Sequence, residues 1–247
     1  MSAPVPRWRP LVLLARGVKW SLLLLIGLFL LVQLWFLGWI VWWKWVPPQE
    51  THFMSLRLEA LRATDPQAEL RYQWVSYAQI SPHLKRAIIA SEDAHFADHD
   101  GFDWQGIQIA LEKNQKKGRF VAGGSTISQQ LAKNLFLSPD RSLFRKGEEA
   151  LITLMLEACW DKERIFEVYL NVIEWGNGIF GAEAAARHYY GVSAARLSVP
   201  QSAKLAAMTP NPRFYDQHRN APGLLRKTGI ILKRMSASQL PHSAPPP

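Results

Sequence analysis

Cysteine is almost missing from this chain: Cys159 is the one thiol among 247 residues. A single thiol cannot close an internal disulfide, and it leaves no thiolate cluster for zinc. Lying in an apolar helical run, it reads as a buried, inert side chain. Histidine is scarce too, 7 in all. His95 and His99 are spaced to share a helix face, but "HFADH" lacks the Glu that follows the first His in H-E-x-x-H. No later His cluster supplies a third ligand, so no dedicated metal site is expected. Strand signals are sparse, "LRYQWV" at 70–75 being the best of them, which excludes an all-β fold. Acids are outnumbered, 20 Asp+Glu against 29 Lys+Arg, for a net charge of +9. That surplus suits an anionic partner: nucleic acid, a phospholipid face or a phosphorylated substrate.

What the chain does have is a long uncharged run, "LLLLIGLFLLVQLWFLGWIVWW", from Leu22 to Trp43. As a helix it would extend about 33 Å, enough to cross a bilayer core. It is too long for a signal-peptide core and ends in Trp39, Trp42, Trp43 and Trp45, an interfacial belt rather than a small-residue cleavage site. Arg7, Arg9, Arg16 and Lys19 precede it and Lys44 alone follows closely, so the positive-inside rule places the N-terminus in the cytoplasm and the rest outside. The expected organisation is a basic tail at 1–19, a transmembrane helix at 20–43, a globular region at 44–235 and a disordered tail at 236–247, where "SASQLPHSAPPP" has too few apolar residues to pack.

The globular region reads as mainly α. Ser81-Pro82 starts a helix with Glu92 at its C-terminal end. A second helix is expected over 102–117. A third follows "GGST", with Thr126 and Gln129 in capping-box spacing. Residues 145–171 form one long helix or two abutting ones, and "GAEAAARHYYG" and 201–208 are shorter.

Three polar constellations stand out. "SEDAHFADHDGFD" at 91–103 gathers seven acids and histidines. Asp98 and Asp100 suit a turn before Gly101. Glu92 and Asp93 do not, because acids at a helix C-terminus meet the negative end of its dipole, a placement better suited to a proton acceptor. "GGSTISQQLAKN" at 123–134 joins two glycines to a helix N-terminus whose free N–H groups could meet an anion, or is simply a flexible loop before a solvated helix face. "DRSLFRKGEE" at 140–149 is either a solvated helix start with i,i+4 pairs such as Arg145–Glu149, or a cationic cradle beside a second carboxylate.

These stretches resemble the motifs of the family 51 peptidoglycan glycosyltransferases. "EDAHFADHDGFD" is similar to E-D-x-x-F-x-x-H-x-G-x-D through Glu92, Asp93, Phe96, His99, Gly101 and Asp103. "GGSTISQQLAKN" follows G-x-S-T-I-x-Q-Q-L-x-K-N without a mismatch, and "RKGEE" follows R-K-x-x-E with its acid at Glu149. "KERIFEVYLN" follows K-x-x-I-L-E-x-Y-L-N except that Phe166 replaces Leu. The last motif is weaker: "LSVPQSAKLAAMTPNP" keeps Ala203, Leu205, Ala206, Pro210 and Pro212, but Gln201 stands where an acid is common, so no chemistry rests on it. "KTG" at 227–229 matches a motif of penicillin-binding transpeptidases, but no Ser has a Lys three positions later and too little chain follows. It reads as chance on a basic terminal helix, and the monofunctional branch is the one resembled.

The resemblance implies a lysozyme-like helical domain with a small membrane-proximal jaw. It implies an inner-membrane enzyme with a periplasmic catalytic domain, polymerising lipid II into β-1,4-linked strands with inversion. Glu92 matches the family's general base and Glu149 its second carboxylate. Lys133, Arg141, Arg145 and Lys146 would neutralise the leaving pyrophosphate, and Ser125, Thr126, Gln129, Gln130, Asn134, Asp93 and His99 complete the implied substrate-binding set. No cofactor is obligatory, although Mg²⁺ or Mn²⁺ often assists at the pyrophosphate. The implied partners are lipid II, the nascent strand, the membrane and cell-wall synthesis or division proteins, not nucleic acid. A lysozyme-like hydrolase and a non-catalytic wall-assembly protein are the rival readings. The hydrolase would have no use for the cationic third motif, because a cleaved glycan offers no phosphate.

Overall fold

In the computed structural model, residues 9–119, 123–140 and 142–241 are described. The long apolar run is one helix, α1 (Arg9–Trp43). It starts before the expected boundary at residue 20, since Pro10 falls in the first turn, where proline is tolerated, and no breaker follows. Its segment Arg16–Trp43, 28 residues, is long and apolar enough to cross a membrane. The expected basic tail lies outside the described residues up to position 8.

Among the described residues ten α-helices follow: α2 (His52–Arg62), α3 (Pro82–Glu92), α4 (Trp104–Lys117), α5 (Ile127–Phe136), α6 (Leu143–Cys159), α7 (Lys162–Val172), α8 (Ala182–Tyr190), α9 (Val199–Met208), α10 (Pro212–Gln217) and α11 (Pro222–Arg234). Residues 145–171 are thus two helices. Asp161 separates them by capping α7, accepting from the Arg164 amide at 2.7 Å. The sheet is small, with β1 (Arg71–Tyr72) parallel to β3 (Ile179–Phe180) and β2 (Glu174–Gly176) antiparallel to β3. The strand expected over 70–75 therefore shrinks to two residues, and the β2–β3 hairpin was not foreseen.

The core is built where α5, α7 and α8 meet α3 and α9, around fully buried Phe96, Phe166, Tyr169, Trp175 and Phe180. Gly101 sits at φ +90°, and a Cβ there would lie 2.8 Å from Thr153 Cγ2, so this turn closes onto α6 only with glycine. From this body α4 projects with Trp104, Ile109 and Leu111 exposed and only Ala110 buried, the place of the expected jaw. Cys159 is half-buried rather than buried. The expected tail packs in part: Met235–Ala237 is a 3-10 turn, and Leu240 lies against the core. One leucine and a buried Met235 suffice to hold those residues; positions 242–247 lie outside the described residues.

The lower end of α1 is docked rather than free. Gln33, Phe36, Ile40 and Trp43 recur on one face and are buried. Phe36 and Trp43 stack about Phe136 of α5, with ring centroids at 5.1 and 5.3 Å. The Trp160 indole donates to the Ile40 carbonyl at 2.8 Å, and Arg164 donates to the Trp43 carbonyl at 2.6 Å. These bonds satisfy carbonyls near the helix end that have no partner within the helix. One turn lower, Gln33 Nε2 donates to Glu148 Oε1 at 3.0 Å, joining the apolar helix to α6.

Candidate active site

The helix start signals that are legible in the sequence place the charged groups. Ser81 caps α3, accepting from the His83 amide at 3.2 Å, and α3 delivers Glu92 at its last residue. Thr126 and Gln129 form the expected capping box on α5. Ser142 caps α6, and its first turns carry Arg145, Lys146 and Glu149.

The α5 N-terminus is already occupied from within. Asp93 Oδ2 accepts from the Ile127 amide at 2.9 Å, Thr126 Oγ1 from the Gln129 amide at 3.2 Å, and Gln129 Oε1 from the Thr126 amide at 3.0 Å. Two of the N–H groups expected there for an anion, those of Ile127 and Gln129, are thus taken by side chains of the protein. Asp93 also holds His99 Nε2 at 3.1 Å, and Thr126 Oγ1 donates to the Gly101 carbonyl at 2.7 Å. Asp93, Thr126 and Gln129 are buried and His99 nearly so. These four join the first and second motifs to each other.

The groups that face the cleft are different. Gln130, Lys133 and Asn134 of α5, with Phe53, Tyr169, Glu174, Thr209, Asn211 and Arg213, line a cavity of about 220 Å³. Glu92 is bonded to two of its lining residues, Thr209 and Gln130. Its Oε1 accepts from Thr209 Oγ1 at 2.7 Å, Ser91 Oγ at 2.8 Å and Lys227 Nζ at 3.4 Å, and its Oε2 from Gln130 Nε2 at 3.3 Å. The Tyr169 hydroxyl donates to Gln130 Oε1 at 3.0 Å, which fixes that amide's orientation. Glu149, 3% exposed, is clamped by Arg145 at 2.6 Å and by Lys146, whose ammonium also reaches exposed Ser125 at 3.3 Å. Lys133 stands in the field of both carboxylates. Burial pushes its pKa down from that of an ordinary lysine; Glu149 and Glu92 oppose the shift, while Arg145 and Lys146 add to it. Arg141 lies outside the described residues. Larger cavities exist, about 520 Å³ beneath residues 236–241 and about 710 Å³ between the α1 tryptophans and α2, but neither is lined by Glu92 or Glu149.

A divalent ion does not fit these residues. Both oxygens of Glu149 are held by cations, and no group of three His, Cys, Asp or Glu suited to a metal occurs among the described residues.

Sequence reasoning missed Lys227, Thr209 and the cleft-lining Asn211 and Arg213. The first sat in a motif set aside as chance, and the others surround a motif too degraded to carry chemistry.

A carboxylate bonded to the lining of a cavity, and a half-buried lysine of that lining in the field of Glu92, Glu149, Arg145 and Lys146, on a helical, lysozyme-like body: the arrangement suits a glycosyl-transfer enzyme. The comparisons agree. Residues 59–236 match the family model described as Transglycosylase. The "Biosynthetic peptidoglycan transglycosylase" of Dechloromonas aromatica (strain RCB) is 69% identical over 93% of this chain and 99% of its own length. Proteins of the same description from Laribacter hongkongensis (strain HLHK9) and Chromobacterium violaceum are 67% and 64% identical, each over 88% of this chain and 95% of its own length. The chain belongs to the transglycosylase family.

Proposed function

We propose that the chain polymerises lipid II into β-1,4-linked peptidoglycan strands at the outer face of the inner membrane, with its N-terminus in the cytoplasm. The observation that carries this reading is the place of Lys133, in the lining of the cavity beside Glu92 and within the field of Glu92, Glu149, Arg145 and Lys146. A sugar hydroxyl is a poor nucleophile, so a base must take its proton; Glu92 takes that of the acceptor N-acetylglucosamine 4-hydroxyl as the oxygen bonds to the donor muramyl C1. The C1–O bond to undecaprenyl pyrophosphate breaks on the opposite face, inverting the α-linkage to β. The electron pair leaves with a pyrophosphate that is already anionic and needs neutralisation, not protonation. Lys133 and Arg145 provide it, Arg with a geometry matched to phosphate. Glu149 keeps Arg145 and Lys146 in place for that contact. Lipid II and the growing strand are the substrates, and cell-wall synthesis or division proteins are the further partners in this reading.

The direct test is full-length protein in detergent with purified lipid II, the products resolved by gel. A ladder of glycan chains is expected. No ladder from folded protein, or shortening of added polymer without synthesis, would replace this reading with a binding or hydrolytic one.

The state of Lys133 gives a pH prediction. As pH rises through its depressed pKa the ammonium is lost, and with it phosphate-side charge. The alkaline limb of kcat/KM should lie below the range of an ordinary lysine. In kcat it should move upward, because bound pyrophosphate stabilises the ammonium. Rate profiles from neutral pH to pH 10 or so check this; identical limbs in kcat and kcat/KM would count against Lys133 as the pyrophosphate contact.

A further inference from the structure

The "KTG" segment finds a use unrelated to its resemblance to transpeptidases. On α11, Leu224, Lys227 and Ile231 fall on one face. Leu224 and Ile231 are buried where α11 packs on α3 and α9, and Lys227 between them points the same way, half-buried. Its ammonium lies 3.4 Å from Glu92 Oε1, and among the described residues that oxygen is its one ion-pair partner. Arg226, the preceding residue, is exposed.

We propose that Lys227 is a positioning residue for the base: it holds Oε1 of Glu92, leaving Oε2 to take the acceptor proton. This deepens the proposed function and rests on Glu92 being the base.

The two carboxylate oxygens are unequally engaged. Oε1 accepts from the Ser91 and Thr209 hydroxyls at 2.8 and 2.7 Å besides Lys227. Both hydroxyls also lie within reach of the Ala206 carbonyl, at 3.2 and 2.9 Å, and each has only one proton to give. When either turns to Ala206, the Lys227 ammonium still engages Oε1. Oε2 has one long contact, 3.3 Å to Gln130. Of the two oxygens it is therefore the one with free lone pairs for a proton.

The charged and titratable groups around Glu92 can be named element by element. On its own helix end there is Asp93, already bound to His99 and the Ile127 amide. From α5 comes Lys133, from α7 the Tyr169 hydroxyl, and from α11 Lys227. Two cations thus act on Glu92, and Lys227 is the one in direct contact. Taking it away removes an opposite charge beside the carboxylate, which raises the pH at which the base becomes protonated. The sign is fixed: activity is lost on the acid side and kept on the alkaline side, where the base is ionised anyway and intrinsically stronger.

The experiment is the acid limb of kcat/KM for lipid II polymerisation by the detergent-solubilised full chain. Lys227→Met should move the limb upward by about one unit, which is about tenfold less activity below it and little loss above it. Lys227→Arg should restore the limb, and Arg226→Met, with the same change in net charge, should leave it in place. A limb unmoved in Lys227→Met, an equal loss at every pH, or an equal shift in Arg226→Met would each overturn the proposal. Lys227→Gln provides a polar neutral variant should the methionine variant not fold. Glu92→Gln is measured alongside: if it stays active, the base assignment has failed, whereas an inactive Glu92→Gln with an unmoved Lys227→Met limb rejects only the role of Lys227.

Discussion

Glu92→Gln is expected to lower polymerisation by about 10²-fold or more, the lower range of what general-base catalysis contributes, while binding of a non-reactive lipid II analogue stays within a few-fold of wild type. Glutamine keeps the size of the side chain and an oxygen to accept from Ser91 and Thr209 at the observed distances. It lacks basicity. It also places an amide N–H₂ opposite Gln130 Nε2, which now donates to Oε2 at 3.3 Å, so Gln130 must release either this contact or its bond from Tyr169. Raising the pH should not rescue this variant, since among the described residues the carboxylate lining the cavity, Glu174, is held by Arg57 at 3.1 Å. Steady-state polymerisation and analogue binding, measured at several pH values, decide the matter. A Glu92→Gln enzyme within a few-fold of wild type, with Asp93→Asn inactive, would move the base to Asp93.

Glu149→Gln should fail differently. Glu149 is buried and takes two cations, so its neutralisation leaves Arg145 without its 2.6 Å partner and Lys146 without its anchor. Removing one partner of a buried ion pair costs about 3–5 kcal/mol when the other charge stays buried. Lys146 is 44% exposed and can turn to water, whereas Arg145 is 16% exposed and cannot turn as freely. A loss toward the lower end of that range is expected, visible as a lower melting temperature. Activity should fall by about 10²–10³-fold, the scale for losing one electrostatic contact to a developing anion, with KM and kcat both affected because the cations serve binding and leaving alike. Unaltered stability together with an unaltered KM would show that Glu149 does not organise these cations.

The charged residues of the site were legible because each lies beside a local signal: a cap, a helix end, or an i,i+3 or i,i+4 pair. Glu92 at the end of α3, the Thr126–Gln129 box and the Arg145–Glu149 pair all follow from spacing. What sequence could not give was closure over long separations. Lys227 and Thr209 reach Glu92 across 135 and 117 positions, and Gln33 reaches Glu148 across 115. No periodicity encodes such contacts. The inward bond of the Asp93 carboxylate to the start of α5, across 34 positions, was beyond reach for the same reason. The β2–β3 hairpin was too short for an alternation to register, although "GNG" between Trp175 and Ile179 carries the turn, with Gly178 at φ +71°.

The fastening of α1 to α5, α6 and α7 sets a dimension of the machine. A chain hung on a flexible leash would drift in height by about 5–6 Å for each square root of its length in residues. Here Trp43, Ile40 and Gln33 are gripped by the same helices that carry Lys133 and Glu149, so the altitude of the cleft above the hydrocarbon is built in. Hauling a polyprenyl tail into water would cost about 0.8 kcal/mol for every methylene lifted. With the proposed lipid-linked substrate, a fixed altitude would keep the tail submerged while its pyrophosphate reacts, and would confine the search for each new building block to a plane.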